Sequence, residues 1–417
     1  MTVTRRSRSG HLSAAALVLA LSLVGCSGVG TDAAAKPAVS GAETPTPGFP
    51  PRNYPAQAWT DKGLFVGGGK DAGGGTVRYR TDAAIISVDT GAVRSLPEFP
   101  FGALFEPEAI AVDGEVLVLG PSCDDVIQPE GGEAPGCADG GYAGGVYAIA
   151  ANAWRRLDLP AELAGLGPFS SGEYRVTRAL GTTPTGQALF AVGAPRAERV
   201  WSFEPATETW AAVPEPGVRV DDYCLTDNGL VAVTSKYSNF GKLLDDDPAL
   251  TPVAGQGYSG SSTDGFVDAQ VAVYDSREVA WSFGPALEGF TFKLTDPRVD
   301  CLGTGVMVSD GVDTSRVRVY DLPRAVWTEP TPPPVLPPRG ARVWTGDELV
   351  HLPALPPIRG AERSPVLAYR PASGTWRTLG GASPPLTWEA LWSGSRIVGY
   401  PMPVSDPDAG VFFYDVV

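Results

Sequence analysis

The chain has 417 residues, with 51 Gly, 40 Pro and 43% apolar content, a composition that buries a large core while using many residues in turns. It carries 32 Lys and Arg against 47 Asp and Glu, a net charge of −15 that argues against nucleic-acid binding and against docking to anionic headgroups by charge. Two His and five Cys leave little material for histidine-dependent hydrolysis or a multi-histidine metal centre.

Arg5, Arg6 and Arg8 precede an apolar stretch from Ala14 to Val24, which is too short to span a bilayer. The stretch ends in Leu23-Val24-Gly25-Cys26. This reads as a signal peptide over 1–25 whose cleavage site resembles the lipobox of bacterial lipoproteins, so Cys26 is the expected lipidation site. The Arg5-Arg6 pair is ordinary charge ahead of the apolar run, since no twin-arginine core follows it. After cleavage, 29 basic residues face 47 acidic ones, about −18 in net charge. The expected address is extracytoplasmic, on the cell membrane, with the membrane as partner through the lipid anchor alone. Residues 26–55, rich in Ala, Gly, Pro, Ser and Thr, read as a disordered tether.

The remaining residues, 56–417, carry a repeat. An aromatic and a tryptophan recur seven residues apart at Phe203 and Trp210, Tyr274 and Trp281, Tyr320 and Trp327, and Tyr369 and Trp376. Each pair flanks a turn of Asp, Pro, Ser, Thr or Gly, which is a hairpin signature. A second hairpin in each unit is marked by runs such as Trp344-Thr-Gly-Asp-Glu-Leu-Val, and two hairpins make a four-stranded blade. In chain order the second strands fall at Leu64–Gly69, Val116–Leu119, Ala188–Val192, Leu230–Val233, Val306–Val308, Leu349–Leu352 and Arg396–Val398, seven in all. From Trp154 the tryptophans step by 56, 71, 46 and 49 residues, the period of a radial array with loop insertions. The turns before Trp154 and before Val93, which holds the tryptophan position of blade one, read as two residues shorter than the others. The seventh unit stops at Val417 before its outer strand. The expectation is an all-β, seven-bladed β-propeller of four-stranded antiparallel blades, the last one closed by the N-terminal segment or left three-stranded. On Trp344-Thr-Gly-Asp-Glu-Leu-Val, Gly67-Gly68-Gly69 and the Tyr-x6-Trp hairpins, the chain resembles kelch-type repeat β-propellers.

With Cys26 lipidated, four cysteines remain. Cys123 and Cys137 bracket a Gly- and Glu-rich loop and are an expected pair. Cys224 and Cys301 occupy matching places in successive units, so they are the expected interblade disulfide. The connections between second and third strands are long and dissimilar, which marks one face of the disc for ligand contacts. Candidate contacts there are Tyr237, Phe240 and Tyr258, and Trp59, Trp344 and Trp392 are either an aromatic surface for sugars or interblade packing. Asp245, Asp246 and Asp247 are weak Ca²⁺ candidates, more simply a solvated turn, because a Ca²⁺ site needs roughly six to eight oxygens in order. The mature chain has one His, His351, and no Gly-x-Ser-x-Gly elbow, so serine hydrolysis is disfavoured. No cofactor is expected. The sequence points to a monomeric binding or scaffolding module for an extracytoplasmic protein or glycan. The alternatives are a carbohydrate-active hydrolase or lyase using Asp, Glu or Tyr at the channel mouth, and a purely structural envelope component.

Overall fold

The computed structural model describes residues 42–44, 49, 52–71, 76–87, 90–123, 128–129, 141–166, 176–194, 197–218, 220–237, 267–287, 298–309, 317–335, 340–352, 365–380, 390–400 and 411–416. The first strand, β1 (Ala42–Thr44), belongs to the last blade. Blade one is β2 (Ala56–Thr60), β3 (Gly63–Gly67), β5 (Ala83–Ile86) and β6 (Val93–Leu96), with the short β4 (Thr76–Val77) inserted before its third strand. Blade two follows a short β7 (Ala103–Leu104) and comprises β8 (Glu108–Val112), β9 (Glu115–Cys123), β11 (Tyr142–Ala148) and β12 (Ala153–Arg156), with β10 (Gln128–Pro129) in its insertion. A single turn of helix, α1 (Ala161–Ala164), leads to blade three: β13 (Val176–Thr182), β14 (Ala188–Ala194), β15 (Ala197–Glu204) and β16 (Thr209–Ala212). Blade four is β17 (Val220–Thr226), β18 (Gly229–Tyr237), β19 (Val267–Asp275) and β20 (Ala280–Phe283). Blade five is β21 (Arg298–Leu302), β22 (Gly305–Ser309), β23 (Val317–Asp321) and β24 (Val326–Thr328). Blade six is β25 (Arg342–Trp344), β26 (Leu349–His351), β27 (Val366–Arg370) and β28 (Thr375–Leu379), and blade seven is β29 (Leu391–Trp392), β30 (Ile397–Gly399) and β31 (Val411–Tyr414).

The first strands of successive blades touch one another all the way round, and β29 returns to β2, so seven sheets form a closed seven-bladed β-propeller. Strand alternation explains how one sheet serves two neighbours. Leu64 and Val66 of β3 pack with Val398, Val411 and Phe413 of blade seven, whereas Phe65 between them packs with Val116, Val118 and Tyr147 of blade two. The same division gives one hydrophobic cluster at each of the seven blade interfaces. Middle strands are covered on both faces and read as unbroken apolar runs such as Gly305-Val-Met-Val-Ser309, whereas fourth strands lie at the rim and are largely exposed.

Each aromatic–tryptophan pair sits directly opposite across the third and fourth strands, with ring centroids about 5 Å apart: Phe203–Trp210 at 4.9 Å, Tyr320–Trp327 at 5.0 Å and Tyr274–Trp281 at 5.2 Å. Blade two obeys the same spacing, because Tyr147 opposes Trp154, and in blade one Ile86 opposes Val93. Those turns are therefore not shortened. The apolar runs continue past the strand ends at Ala148 and Ile86, which hides the register in the sequence. Three of the tryptophans also latch blades together. The indole N–H of Trp154 donates to the Pro97 carbonyl of the preceding blade at 2.8 Å, Trp281 to Pro214 at 2.6 Å and Trp327 to Pro285 at 2.9 Å.

The ring closes through the N-terminal segment. β1 pairs antiparallel with β31, Ala42 opposite Phe413 and Thr44 opposite Val411, and supplies the fourth strand that the seventh blade lacks. The closing strand thus lies upstream of Pro51–Pro55, and part of the segment expected to be tether is built into the ring. Further along, the fully buried Arg52 side chain donates to both carboxylate oxygens of Asp82 and to the Gly68 carbonyl, and stacks 3.9 Å over the Phe49 ring. Gln57 Oε1 accepts from the Tyr400 amide across the blade seven–blade one seam.

Candidate functional site

Antiparallel connectivity puts the two short turns of each blade on one face of the disc and the connections between second and third strands, and between blades, on the other. The second face is elaborated over blades one and two. There β4 pairs with β10, Thr76 opposite Pro129, so an insertion of blade one is braced by an insertion of blade two. β7 pairs with the overrun of β9, Ala103 opposite Cys123, and Cys123 is disulfide-bonded. Beside them lies an eighth apolar cluster, Tyr79, Ala103, Phe105 and Cys123, which is separate from the seven sheet-to-sheet clusters.

A small backbone ladder organises the polar side chains at this place. Asn53 bridges Lys70 and Lys70 bridges Tyr79, with Asn53 and Lys70 exchanging amide bonds of 2.8 and 2.9 Å. Gly69 makes the approach feasible: its φ is +82°, and a Cβ there would stand 2.7 Å from the Asn53 carbonyl oxygen. Lys70 Nζ lies 3.8 Å from Glu106 Oε1, 4.7 Å from the Tyr54 ring centroid and 5.8 Å from that of Phe105. Tyr79 packs its ring 5.9 Å from Phe105. Its hydroxyl is buried and has no hydrogen-bond partner among the described residues. Burial raises the Glu106 carboxyl above its ordinary range against the opposing effect of Lys70. Burial and the nearby Glu106 charge push Tyr79 up to about 12.

Seven described non-glycine residues have positive φ. Asp113, Asn152, Glu208, Val279 and Ala325 lie in hairpin turns, where such φ values are routine. The other two, Tyr54 at +50° and Glu106 at +40°, are outside those turns, and both side chains meet Lys70. Backbone held this way costs on the order of 1–3 kcal/mol per residue and collects at ligand sites.

Elsewhere on the innermost strands, charge is internally compensated. Arg178 of β13 pairs with Asp222 of the next blade and with Glu198 at 2.6 Å. Arg342 of β25 pairs with Asp300 of the preceding blade. Burial raises the Glu198 carboxyl despite Arg178. Arg178–Asp222 and Arg342–Asp300 tie neighbouring blades, whereas Arg178–Glu198 lies within blade three.

Cys224 and Cys301 form a disulfide between β17 and β21, with Cα atoms 5.5 Å apart, which cross-links blades four and five. Their registers differ by one: Cys224 stands two residues before the turn-closing Thr226, and Cys301 one before Leu302. Trp59, Trp344 and Trp392 are half-buried, each packed against a different interface cluster. His351 is buried in β26 with its ring 5.3 Å from Trp376. The backbone of Tyr237 ends β18. Cys26, Cys137, Phe240, Tyr258, Asp245, Asp246 and Asp247 lie outside the described residues. Among the described residues no group of three or more His, Cys, Asp or Glu is placed to hold a metal ion. The Lys70 cluster escaped sequence reading because its members come from three separate loops; Gly67-Gly68-Gly69 was the nearest signal.

No family model matches the sequence, and no curated protein matches it. Among solved structures, the crystal structure of the mitotic checkpoint complex aligns with 96% of this chain and 99% of that chain at 10% sequence identity, with a TM-score of 0.48. The propeller assignment rests on the seven sheets and their closure.

Proposed function

We propose that the protein is a surface-anchored lipoprotein whose propeller is a binding or scaffolding module for an extracytoplasmic protein or glycan, engaged by the face that carries the long connections. The observation that supports this most is the added structure over blades one and two. Its strand pairing, disulfide-bonded Cys123 and separate apolar cluster lie outside the seven sheet-to-sheet clusters, where they brace the insertions of blades one and two and surround a strained constellation of Lys70, Glu106, Tyr54 and Tyr79. The disulfides favour an oxidising compartment, in keeping with the Cys26 lipobox.

Two measurements test this. Membrane fractionation and N-terminal mass spectrometry of cells producing the full chain should find it in the membrane with an acylated Cys26, and Cys26→Ala should release or retain it unprocessed. Envelope pull-downs with wild type and with Lys70→Glu should differ in a saturable partner. Equal capture by both would remove the assigned face from the reading, and recovery of a cleaved sugar would favour the carbohydrate-active alternative.

A further inference from the structure

The Lys70 cluster also constrains the chemistry of a ligand, provided that its face is the binding face proposed above. Three properties narrow the ligand. First, among the described residues the site is charge-balanced: one ammonium faces one carboxylate at 3.8 Å. An anionic ligand would meet Glu106 and a protein of strongly negative net charge, and a cationic one would meet Lys70. A neutral ligand with both donors and acceptors meets neither objection. Second, Tyr54 offers an aromatic ring that is 42% exposed although Lys70 stands over it. A ring at a polar site suits a flat, partly apolar group with hydroxyls at its edge. Third, Tyr79, which bridges Lys70 in the backbone ladder, is 2% exposed and its hydroxyl has no hydrogen-bond partner among the described residues, which leaves an unmet donor beside the cluster. An unmet buried hydroxyl is costly, so a ligand oxygen that accepts from it gains the full value of the bond.

We infer that the Tyr54–Lys70–Tyr79–Glu106 cluster is a subsite for one neutral sugar residue of a glycan. In this assignment the sugar ring lies against Tyr54, Lys70 donates to its hydroxyl oxygens, Glu106 accepts from its hydroxyls, and Tyr79 donates to a ligand oxygen. The strained backbone at Tyr54 and Glu106 pre-positions the platform and the acceptor on either side of Lys70.

The test uses the full chain in mild detergent, titrated by calorimetry with cellotriose, mannotriose and galactotriose as neutral probes and trigalacturonate as an acidic one. At least one neutral probe should bind, with trigalacturonate weaker by at least about tenfold. Tyr54→Ala should weaken that binding at least about tenfold, through loss of the platform. The isosteric Tyr79→Phe, which keeps the ring packing and removes the unmet hydroxyl, should weaken it about five- to tenfold without lowering the melting temperature. Failure of every neutral probe, preference for trigalacturonate, or binding indifferent to both substitutions overturns the assignment. If envelope capture still depends on Lys70 while no sugar binds, the face survives as a binding face and the sugar subsite alone falls.

Discussion

Removing the Cys224–Cys301 bond tests how the ring is held. The bond joins residues 77 apart, a loop that contains most of blade four and reaches β21 of blade five. Cross-linking a loop of that length removes about 15 cal/mol/K of denatured-state entropy, or about 4.5 kcal/mol at 25 °C, an upper figure because real denatured chains are partly compact. For a ring of this size, whose unfolding entropy is roughly 0.7–0.8 kcal/mol/K, that corresponds to a melting temperature lower by about 6 °C. The Cys224→Ala/Cys301→Ala variant also removes two sulfur atoms from the blade four–blade five cluster, which adds a smaller packing loss. The entropic part is distinguishable because it acts on the unfolded chain: urea unfolding of the variant should show a larger m-value as well as a lower midpoint. Calorimetry and urea titration together decide the matter. A melting temperature within about 1 °C of wild type with an unchanged m-value would refute the reasoning, and would mean that neighbouring blades are already fixed by packing in the denatured ensemble.

The tryptophan latch predicts an asymmetry: Trp281→Phe loses the bond to Pro214 and should cost about 1 kcal/mol more than Trp210→Phe, whose indole N–H is buried with no partner among the described residues. Equal melting shifts for the two would refute the latch. Arg178→Met leaves both Glu198 and Asp222 without their partner and should cost about 3 kcal/mol, partly restored by adding Glu198→Gln; no rescue at all would place the damage elsewhere. Glu348 accepts from Arg377 at 2.7 Å and pairs with Arg370 at 2.9 Å, and the Arg377 bond, ahead of the pair's charges, holds its carboxyl below the ordinary 4.5. A depressed folded value gives stability present above pH 4.5 that is lost as pH falls through the folded value, so Glu348→Gln should flatten the acid limb of a pH–melting profile. Glu198 and Glu106 have the opposite sign: their raised carboxyls favour the fold at low pH and oppose it as pH climbs above 4.5, and replacing either by Gln should improve stability at neutral pH relative to pH 4. A profile unchanged in either set would refute the assignment of those groups.

How much of the molecule is legible in its sequence depends on the range of each interaction. The blades were legible because their determinants are local: a cross-strand aromatic and tryptophan must lie seven residues apart when a tight turn joins them, and covered middle strands must be apolar throughout. The Cys224–Cys301 bond was legible because a repeat maps distant residues onto neighbouring strands. What local pattern could not supply was anything made between units. The indole N–H bonds of Trp154, Trp281 and Trp327 to prolines 42 to 67 residues away leave no periodic trace. The closing strand Ala42–Thr44 has no blade signature of its own, since only the open edge of Val411–Tyr414 gives it a reason to be extended. The Lys70 cluster draws on the segments at Asn53, Lys70, Tyr79 and Glu106, brought together by a backbone ladder and a glycine with no room for a side chain. The sequence by itself determined the number of blades, their strand order and one of their cross-links, because those follow from short-range pairing and period. Only the tertiary structure decided how the ring shuts and where its face is chemically equipped, because both depend on contacts between segments whose separation no repeat encodes.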